Sequence, residues 1–315
     1  MSTKPILSLG EALIDAVTRG HETREIVGGS LLNVAAGIAA LNHDSALASW
    51  WGDDERGHRL DAFAAQRGIS IIPGTNGATH TTIAHADVDD AGHATYTFDL
   101  EWDVPELGDL ERFGHLHIGS YAATLNPGGD KVADAVEAFR RTGTVSYDPN
   151  IRPAVMGTPE DVRDRIEHLV ERVDVIKASD EDLAWLYPGR SVEETMKAWA
   201  EAGCRLVVVT CGAKGALAAG PDGDVHAIAP LDVPVGDTVG AGDSFMAGLL
   251  AGLADAGLIG STQAREALGS ATWDQIAPAL AKATVTSNIT VSHVGAYAPT
   301  TAEVDEILRA HPELV

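Results

Sequence analysis

Two glycines bracket one alanine, and an aspartate follows directly; no other feature of this chain constrains it more. The stretch is Asp237-Thr238-Val239-Gly240-Ala241-Gly242-Asp243-Ser244-Phe245, and the run from Met246 to Ala254 is small and apolar. It reads as a loop turning into a buried helix. The first turn of a helix leaves N–H groups without internal acceptors and carries partial positive charge. Glycine lets a ligand approach that backbone closely. Gly240, Ala241 and Gly242 can therefore cradle an anion at the helix start. Asp243 stands at the mouth of the cradle, where a carboxylate can serve as base for a hydroxyl attacking a phosphoryl group. The plainer reading is a glycine-rich turn in which Asp243 or Ser244 caps the helix.

The 315 residues can bury one large core, as one α/β domain or two smaller ones. A formal net charge of -24 and a pI near 4.7 argue against nucleic acid or anionic membrane as partners. An anionic substrate would need a local positive pocket, and only 22 Lys and Arg residues are available to build one. Cys204 and Cys211 do not form a C-x-x-C pair and read as reduced core residues. The first apolar run breaks at Gly10-Glu11, too early for a signal sequence, and no uncharged run reaches membrane-spanning length. The expected location is the cytoplasm.

Ile6 to Gly10 reads as a buried first strand. Asp15 lies beyond it, where open α/β sheets bind ligands, unless it is a solvated loop carboxylate. Val17 and Glu25-Ile26-Val27 suit short strands. Gly28-Gly29-Ser30-Leu31-Leu32-Asn33-Val34-Ala35-Ala36 again signals a loop entering a helix. Ser45 to Trp50 reads as a strand, Asp54 as the N-cap of a helix through Gln66, and Ile69 to Pro73 as another strand. Residues 78–103 change character. Thr79 to Ala86 and Ala94 to Asp99 are β-rich, with Asp89-Asp90-Ala91-Gly92 as a hairpin turn. Such an insertion is a candidate lid, with Tyr96 and Phe98 either covering a ligand or packing in the sheet.

His115 and His117 share one strand face, with no third ligand nearby for zinc. The strand through Tyr147 ends in Asp148-Pro149-Asn150-Ile151-Arg152, where Arg152 offers a planar fork for phosphate or carboxylate. Asp174 to Lys177 is a strand, and Ser179 with Asp182 resembles a capping box. Arg205 to Thr210 is strongly β and runs into Cys211-Gly212-Ala213-Lys214-Gly215. Pro278 to Ser287 reads as a helix with Pro in its first turn, followed by Val291-Ser292-His293-Val294-Gly295-Ala296. Strands alternate with helices throughout, so the expected fold class is α/β, a mostly parallel sheet with helices on both faces.

Several of these strings resemble signatures of the ribokinase-like (pfkB) carbohydrate kinases, in particular the fructokinase type. The residues are D-T-x-G-A-G-D-x-F from Asp237, G-G-x-x-x-N-x-A from Gly28, and G-E-x-L-I-D from Gly10. To these are added G-x-D-x-x-G from Gly52, D-P-N-x-R from Asp148, and T-x-G-x-x-G from Thr210. Leu31 and Leu32 stand where small residues or Pro are usual. The resemblance covers residue 6 to about 299. It implies one ribokinase-like domain over residues 1–315, with a small β-lid formed by segments near 12–28 and 78–103, and a homodimer through that lid. It also implies ATP-dependent phosphorylation of a primary hydroxyl of a sugar, with fructose leading.

In that resemblance Asp243 is the base, and Gly240, Ala241 and Gly242 form the anion hole. Asp15, Gly29, Asn33 and Arg152 would hold the sugar. Lys177, Thr210, Gly212, Gly215 and His293, which stands in the place of an Arg, would hold ATP. Mg²⁺ would bridge the phosphates. Asp182, where N-x-x-E is commoner, would organise its waters or simply cap a helix. A monovalent cation, K⁺, would sit near Asp237 and Val239. Between Thr79 and Val104 there is no Arg or Lys, so Arg152 is the one cationic fork at a matched position. A neutral sugar is therefore expected. Three other readings stay open. One is a 2-keto-3-deoxygluconate kinase or another sugar or nucleoside kinase of this type. Another is a sugar- or nucleotide-binding regulatory protein, which would need neither the aspartate nor the cradle. The last is a nicotinamide oxidoreductase, against which the missing G-x-G-x-x-G stands.

Overall fold

The computed structural model describes residues 4–20, 22–88 and 94–314. Among these the strands are β1 (Ile6–Leu9), β2 (Leu13–Arg19), β3 (Glu22–Gly28), β4 (Ser45–Ala48), β5 (Ser70–Ile71), β6 (Ile83–Val88) and β7 (Ala94–Asp99). They continue with β8 (His115–Gly119), β9 (Thr144–Asp148), β10 (Val175–Ser179), β11 (Leu206–Thr210), β12 (Ala216–Ala219) and β13 (Val225–Ile228). The helices are α1 (Ser30–Ala40), α2 (Glu55–Gln66), α3 (Gly128–Phe139), α4 (Pro153–Met156), α5 (Pro159–Val170) and α6 (Asp180–Leu186). After these come α7 (Val192–Glu201), α8 (Ala241–Asp255), α9 (Thr262–Leu268), α10 (Trp273–Val291) and α11 (Thr301–Ala310).

The main sheet has the order β13-β12-β11-β10-β9-β8-β1-β4-β5. It is parallel from β5 to β11. The last two strands are added antiparallel. Its inner strands β1, β4, β8 and β9 are buried on both faces, as a doubly covered parallel sheet requires. In β11, Val207 and Val209 enter one core with Ile166, Leu169 and Trp199, whereas Leu206 and Val208 enter another with Phe245, Leu249 and Ile276. The period of two thus sends alternate residues to helices α5 and α7 on one side, and α8 and α10 on the other.

The second sheet, β3-β2-β6-β7, is built from the two segments read as the lid. β2 and β3 form an antiparallel hairpin, β2 pairs parallel with β6, and β6 pairs antiparallel with β7. The hairpin turn at Asp89-Asp90-Ala91-Gly92 lies outside the described residues, as does the side chain of Tyr96. Phe98 packs against the main core that holds Leu13, Ala84 and Trp102, so the packing alternative applies to it. Asp54 caps α2 by accepting from Gly57 N at 2.8 Å, and also takes the Thr81 hydroxyl at 2.7 Å. From α2, Arg56 Nε and Arg59 Nη1 donate to the Glu25 carboxylate at 3.0 and 2.6 Å. The second sheet is therefore fastened to α2 at both its β3 and β6 ends.

Two sequence expectations need correction. Pro278 does not open its helix. α10 begins at the Thr272–Gln275 capping box and carries Pro278 inside it. Burial of Ile276, Ala279, Leu280 and Ala283 against α8 outweighs the hydrogen bond that proline cannot donate. Cys211 is half-buried at the end of β11 rather than in the core, although Cys204 is buried. Leu31 and Leu32 are fully buried against Trp51 and Leu60, which accounts for large residues at those positions.

Helices α8 and α10 approach through small residues. A Cβ added at Gly252 would lie 2.5 Å from Ala279 Cα, and one at Gly248 would collide with the Thr286 hydroxyl. Alanine in place of glycine within a helix ordinarily gains about 1 kcal/mol. Here overpacking against backbone, which costs roughly 1–3 kcal/mol, should win. Gly252→Ala is expected to lower the unfolding free energy by on the order of 1 kcal/mol in urea denaturation. A stabilised variant would contradict this close approach.

Candidate active site

The two glycine-led helix starts meet, although they lie more than 200 residues apart in sequence. Gly240 is the N-cap of α8 and has φ 75°, a left-handed conformation that glycine adopts without strain. A Cβ there would lie 2.6 Å from that of Ala296. No side chain caps α8. The N–H groups of Gly242 and Asp243 have no acceptor among the described residues. That leaves a cradle for an anion, and it excludes the reading of Asp243 as a cap. The Asp243 carboxylate turns instead toward α1, where Oδ1 accepts from Ser30 Oγ at 2.7 Å and Oδ2 from Asn33 Nδ2 at 2.8 Å. The residue is only 9% exposed.

Gly29, the N-cap of α1, has φ 107°, and a Cβ there would meet Glu11 O and Ala12 Cα at 2.7 Å. Glycine is therefore required both for the turn and for the close approach. Glu11, 4% exposed, accepts the Ser30 N–H on Oε1 at 3.3 Å, and its Oε2 has no partner among the described residues. Burial pushes its carboxyl up to about 8, and the Asp243 charge adds to the rise. Asp15 is not a loop residue. It sits within β2, opposite Ile26 and Ala84, with the backbone of Gly28 pressed against its carboxylate. Burial raises Asp15 to about 6, with the charge of Arg152 opposing and that of Asp243 adding. The Arg152 head is exposed and donates to its neighbour Ile151 O at 3.0 Å.

In β10 the alternation places Lys177 on the same face as Val175, toward α8. Its Nζ lies 2.8 Å from Asp148 Oδ2 and 3.4 Å from Gly242 O, beneath the cradle. Burial raises Asp148 to about 6 against the pull of Lys177. Burial would lower Lys177, but the charge and hydrogen bond of Asp148, together with the charges of Asp182 and Asp243, outweigh it and hold the ammonium above its ordinary value. Asp182 completes the capping box with Ser179 and also takes the Ile151 N–H at 2.8 Å. Both of its oxygens thus accept from backbone, tying the Arg152 loop to the start of α6.

The remaining predicted residues fall into two groups. Thr210, Gly212 and Gly215 form the turn after β11, closed by Cys211 N donating to Gly215 O at 2.7 Å. A side chain at Gly215 would strike Ile228 O. Asp237 accepts from Val239 N at 3.1 Å and from Gly295 N at 3.0 Å, joining the loop before α8 to the turn after α10. His293 in that turn stacks on Tyr297 at 4.0 Å. The ends of β9, β10 and β11 thus face the same rim as the starts of α1 and α8, as expected of open parallel sheets. His115 and His117, by contrast, are buried, bonded to Thr144 and Ser146, and held neutral by burial.

Sequence reading missed Glu11, Ser30 and Asp148. The available signal was a charged or polar residue directly abutting a buried strand or a glycine pair, which does not by itself say what it will touch. Glu11 has a measurable consequence. Its folded value of about 8 lies above its ordinary 4.5, so its contribution to stability is complete below the latter and is lost as pH rises through the former. The wild-type protein should lose stability between about pH 5 and about pH 8, and Glu11→Gln should flatten that decline in urea titrations. Equal slopes in both proteins would contradict it.

A family model described as pfkB family carbohydrate kinase matches residues 5–303. The chain is 34% identical over 263 residues to a fructokinase of Klebsiella pneumoniae, covering 79% of this chain and 84% of that protein. It is 31% identical over 276 residues to a fructokinase of Escherichia coli, covering 84% and 89%. A fructokinase of Vibrio cholerae O395, solved with fructose, ADP and calcium ion, superposes with TM-score 0.79 at 28% identity, covering 98% of this chain and 100% of that one. Since the family model spans residues 5–303 and a relative is 34% identical over most of both chains, this chain belongs to the pfkB family of carbohydrate kinases.

Proposed function

We propose that the protein is an ATP-dependent fructokinase acting on a primary hydroxyl of the sugar. One observation carries this reading. A buried carboxylate, Asp243, is held by two donors beside a helix start where the Gly242 and Asp243 N–H groups face no acceptor among the described residues. A base next to an anion cradle is what transfer of a phosphoryl group to a hydroxyl needs. The named fructokinases among its relatives, and the fructose in the Vibrio structure, support the choice of sugar.

In this reading Asp15, Gly29, Asn33 and Arg152 hold the sugar hydroxyls. Asp243 takes the proton as the sugar oxygen attacks the terminal phosphorus, and ADP leaves. The backbone of Gly240, Ala241 and Gly242 stabilises the charge on the phosphoryl oxygens, with Lys177 and Asp148 bracing the floor. Thr210, Gly212, Gly215 and His293 hold the nucleotide. The donor set fits a Mg²⁺ ion carried chiefly by the phosphates, because Asp182 has both oxygens on backbone N–H groups and would act through water. When bound, the ion would neutralise phosphate charge. K⁺ would rest against the Asp237–Val239 loop; a double mutant of the Vibrio enzyme was solved with fructose, ADP and potassium ion. The whole chain acts as one kinase domain in the cytoplasm, its second sheet closes over the sugar, and a homodimer forms across edge strand β3, where Ile26 is exposed.

Three measurements test this. Asp243→Asn should reduce kcat by about 10²–10⁴-fold while fructose still binds; near-normal turnover would remove the base. In a coupled ADP-release assay over a sugar panel, kcat/KM should be higher for fructose than for 2-keto-3-deoxygluconate. The reverse order would move the assignment to an acidic sugar. Asp182→Ala should raise the Mg²⁺ needed for half-maximal rate and, by loosening Ile151 and Arg152, the KM for fructose. A rise in KM alone would leave Asp182 as a loop tether with no part in the metal's water shell.

A further inference from the structure

We infer that Ser30 is a positioning residue for Asp243, standing on backbone that the buried Glu11 fixes. The inference rests on the phosphoryl-transfer reading above and adds what aims the base.

A carboxylate turns easily about its last bond, because an sp³–sp² torsion has broad minima. A base that turns does not hold its lone pair against one hydroxyl. Asp243 is stopped at both oxygens, by Ser30 Oγ on Oδ1 and by Asn33 Nδ2 on Oδ2. The two donors differ. Asn33 is half-buried and is itself a candidate sugar ligand, so its amide is shared with the substrate. Ser30 is 8% exposed, and its hydroxyl is given to Asp243 alone among the described residues. A hydroxyl also suits both states of the base. It donates to the carboxylate, and it can still donate to Oδ1 once Oδ2 has taken the proton.

Ser30 is in turn held by parts that do not move independently. It is the first residue of α1, and Gly29 before it supplies no capping side chain. The acceptor for the Ser30 N–H comes from Glu11 Oε1, 19 residues earlier. Gly29 is pressed on Glu11 O and Ala12 Cα, so the turn after β1 and the start of α1 form one unit. Farther along, α1 meets α8 so closely that a Cβ at Gly37 would lie 2.5 Å from that of Ala247. The distance from Glu11 to Asp243 is thereby fixed at both ends, and Ser30 is the side chain that bridges it.

The test is steady-state kinetics with fructose and ATP on Ser30→Ala, Ser30→Thr and Glu11→Ala, with rates expressed per folded enzyme. Ser30→Ala is expected to lower kcat by about 10–10²-fold, the scale of a misplaced catalytic group, while the KM for fructose stays within about twofold. Ser30→Thr, which keeps the hydroxyl, should recover most of that loss. Glu11→Ala, which withdraws the acceptor under Ser30 N–H, should lower kcat in the same sense. In an Asp243→Ala background, Ser30→Ala should cost nothing further, since a residue acting only through the base has nothing left to aim. Unchanged kcat with a lowered melting temperature would make Ser30 mere packing and overturn the inference. So would a rise in KM at constant kcat, which would make it a sugar contact. Asp243→Asn separates the two levels: if that variant keeps turnover, the reading of the base has failed; if it loses turnover while Ser30→Ala does not, only this inference has failed.

Discussion

Everything in the site depends on one juxtaposition, the start of α8 set against the start of α1. The bonds from Ser30 and Asn33 to Asp243 span 213 and 210 residues of chain. A buried carboxylate is costly unless hydrogen bonds replace its water, and these two donors replace it. The meeting is possible because α8 is made of small residues. Gly248 and Gly252 let α10 lie against one side, and Ala247 lets α1 lie against another at Gly37. The small-residue run after the loop is therefore a packing device that puts a carboxylate beside the open N–H groups of Gly242 and Asp243.

The electrostatics follow from this depth. The protein carries a formal charge of -24, yet its site gathers Glu11, Asp15, Asp148 and Asp243. Burial resolves the crowding by raising three of them: Glu11 to about 8, and Asp15 and Asp148 to about 6. At neutral pH Glu11 is thus largely uncharged and adds little repulsion to the charge on Asp243. Asp148 is offset by Lys177 at 2.8 Å. The positive side of the site then comes from helix-start N–H groups and Lys177, short-range features that work within a repulsive global field.

The second sheet is coupled to the core through α2. Glu25 of β3 meets Arg56 and Arg59, while Asp54 both caps α2 and holds Thr81 just before β6. Exposed ion pairs contribute little singly, but here a carboxylate between two guanidinium groups shares one helix with a cap. That helix relates the position of β3 to the rest of the chain, and Val27 of β3 also packs on the apolar cluster that holds Leu60 and Ala64 of α2.

Much of this was legible from residues in order. Short apolar strands alternating with helical segments announced a doubly covered sheet, glycine pairs announced the two helix starts, and the serine and aspartate around α6 announced a capping box; all are local, and local chemistry repeats wherever its spacing does. Asp243, the base in the function proposed here, stood out by the same token. What the order of residues left open was every partner lying far along the chain. Asp15 joined a strand because the second sheet captured it, and Pro278 entered a helix because apolar burial against α8 outweighed the lost donor. Glu11 and Ser30 looked like ordinary polar residues beside a strand and a turn. Only the packing of α1 on α8 brought them to Asp243, because contact across 213 residues is decided by which surfaces close on each other and not by any period in the sequence.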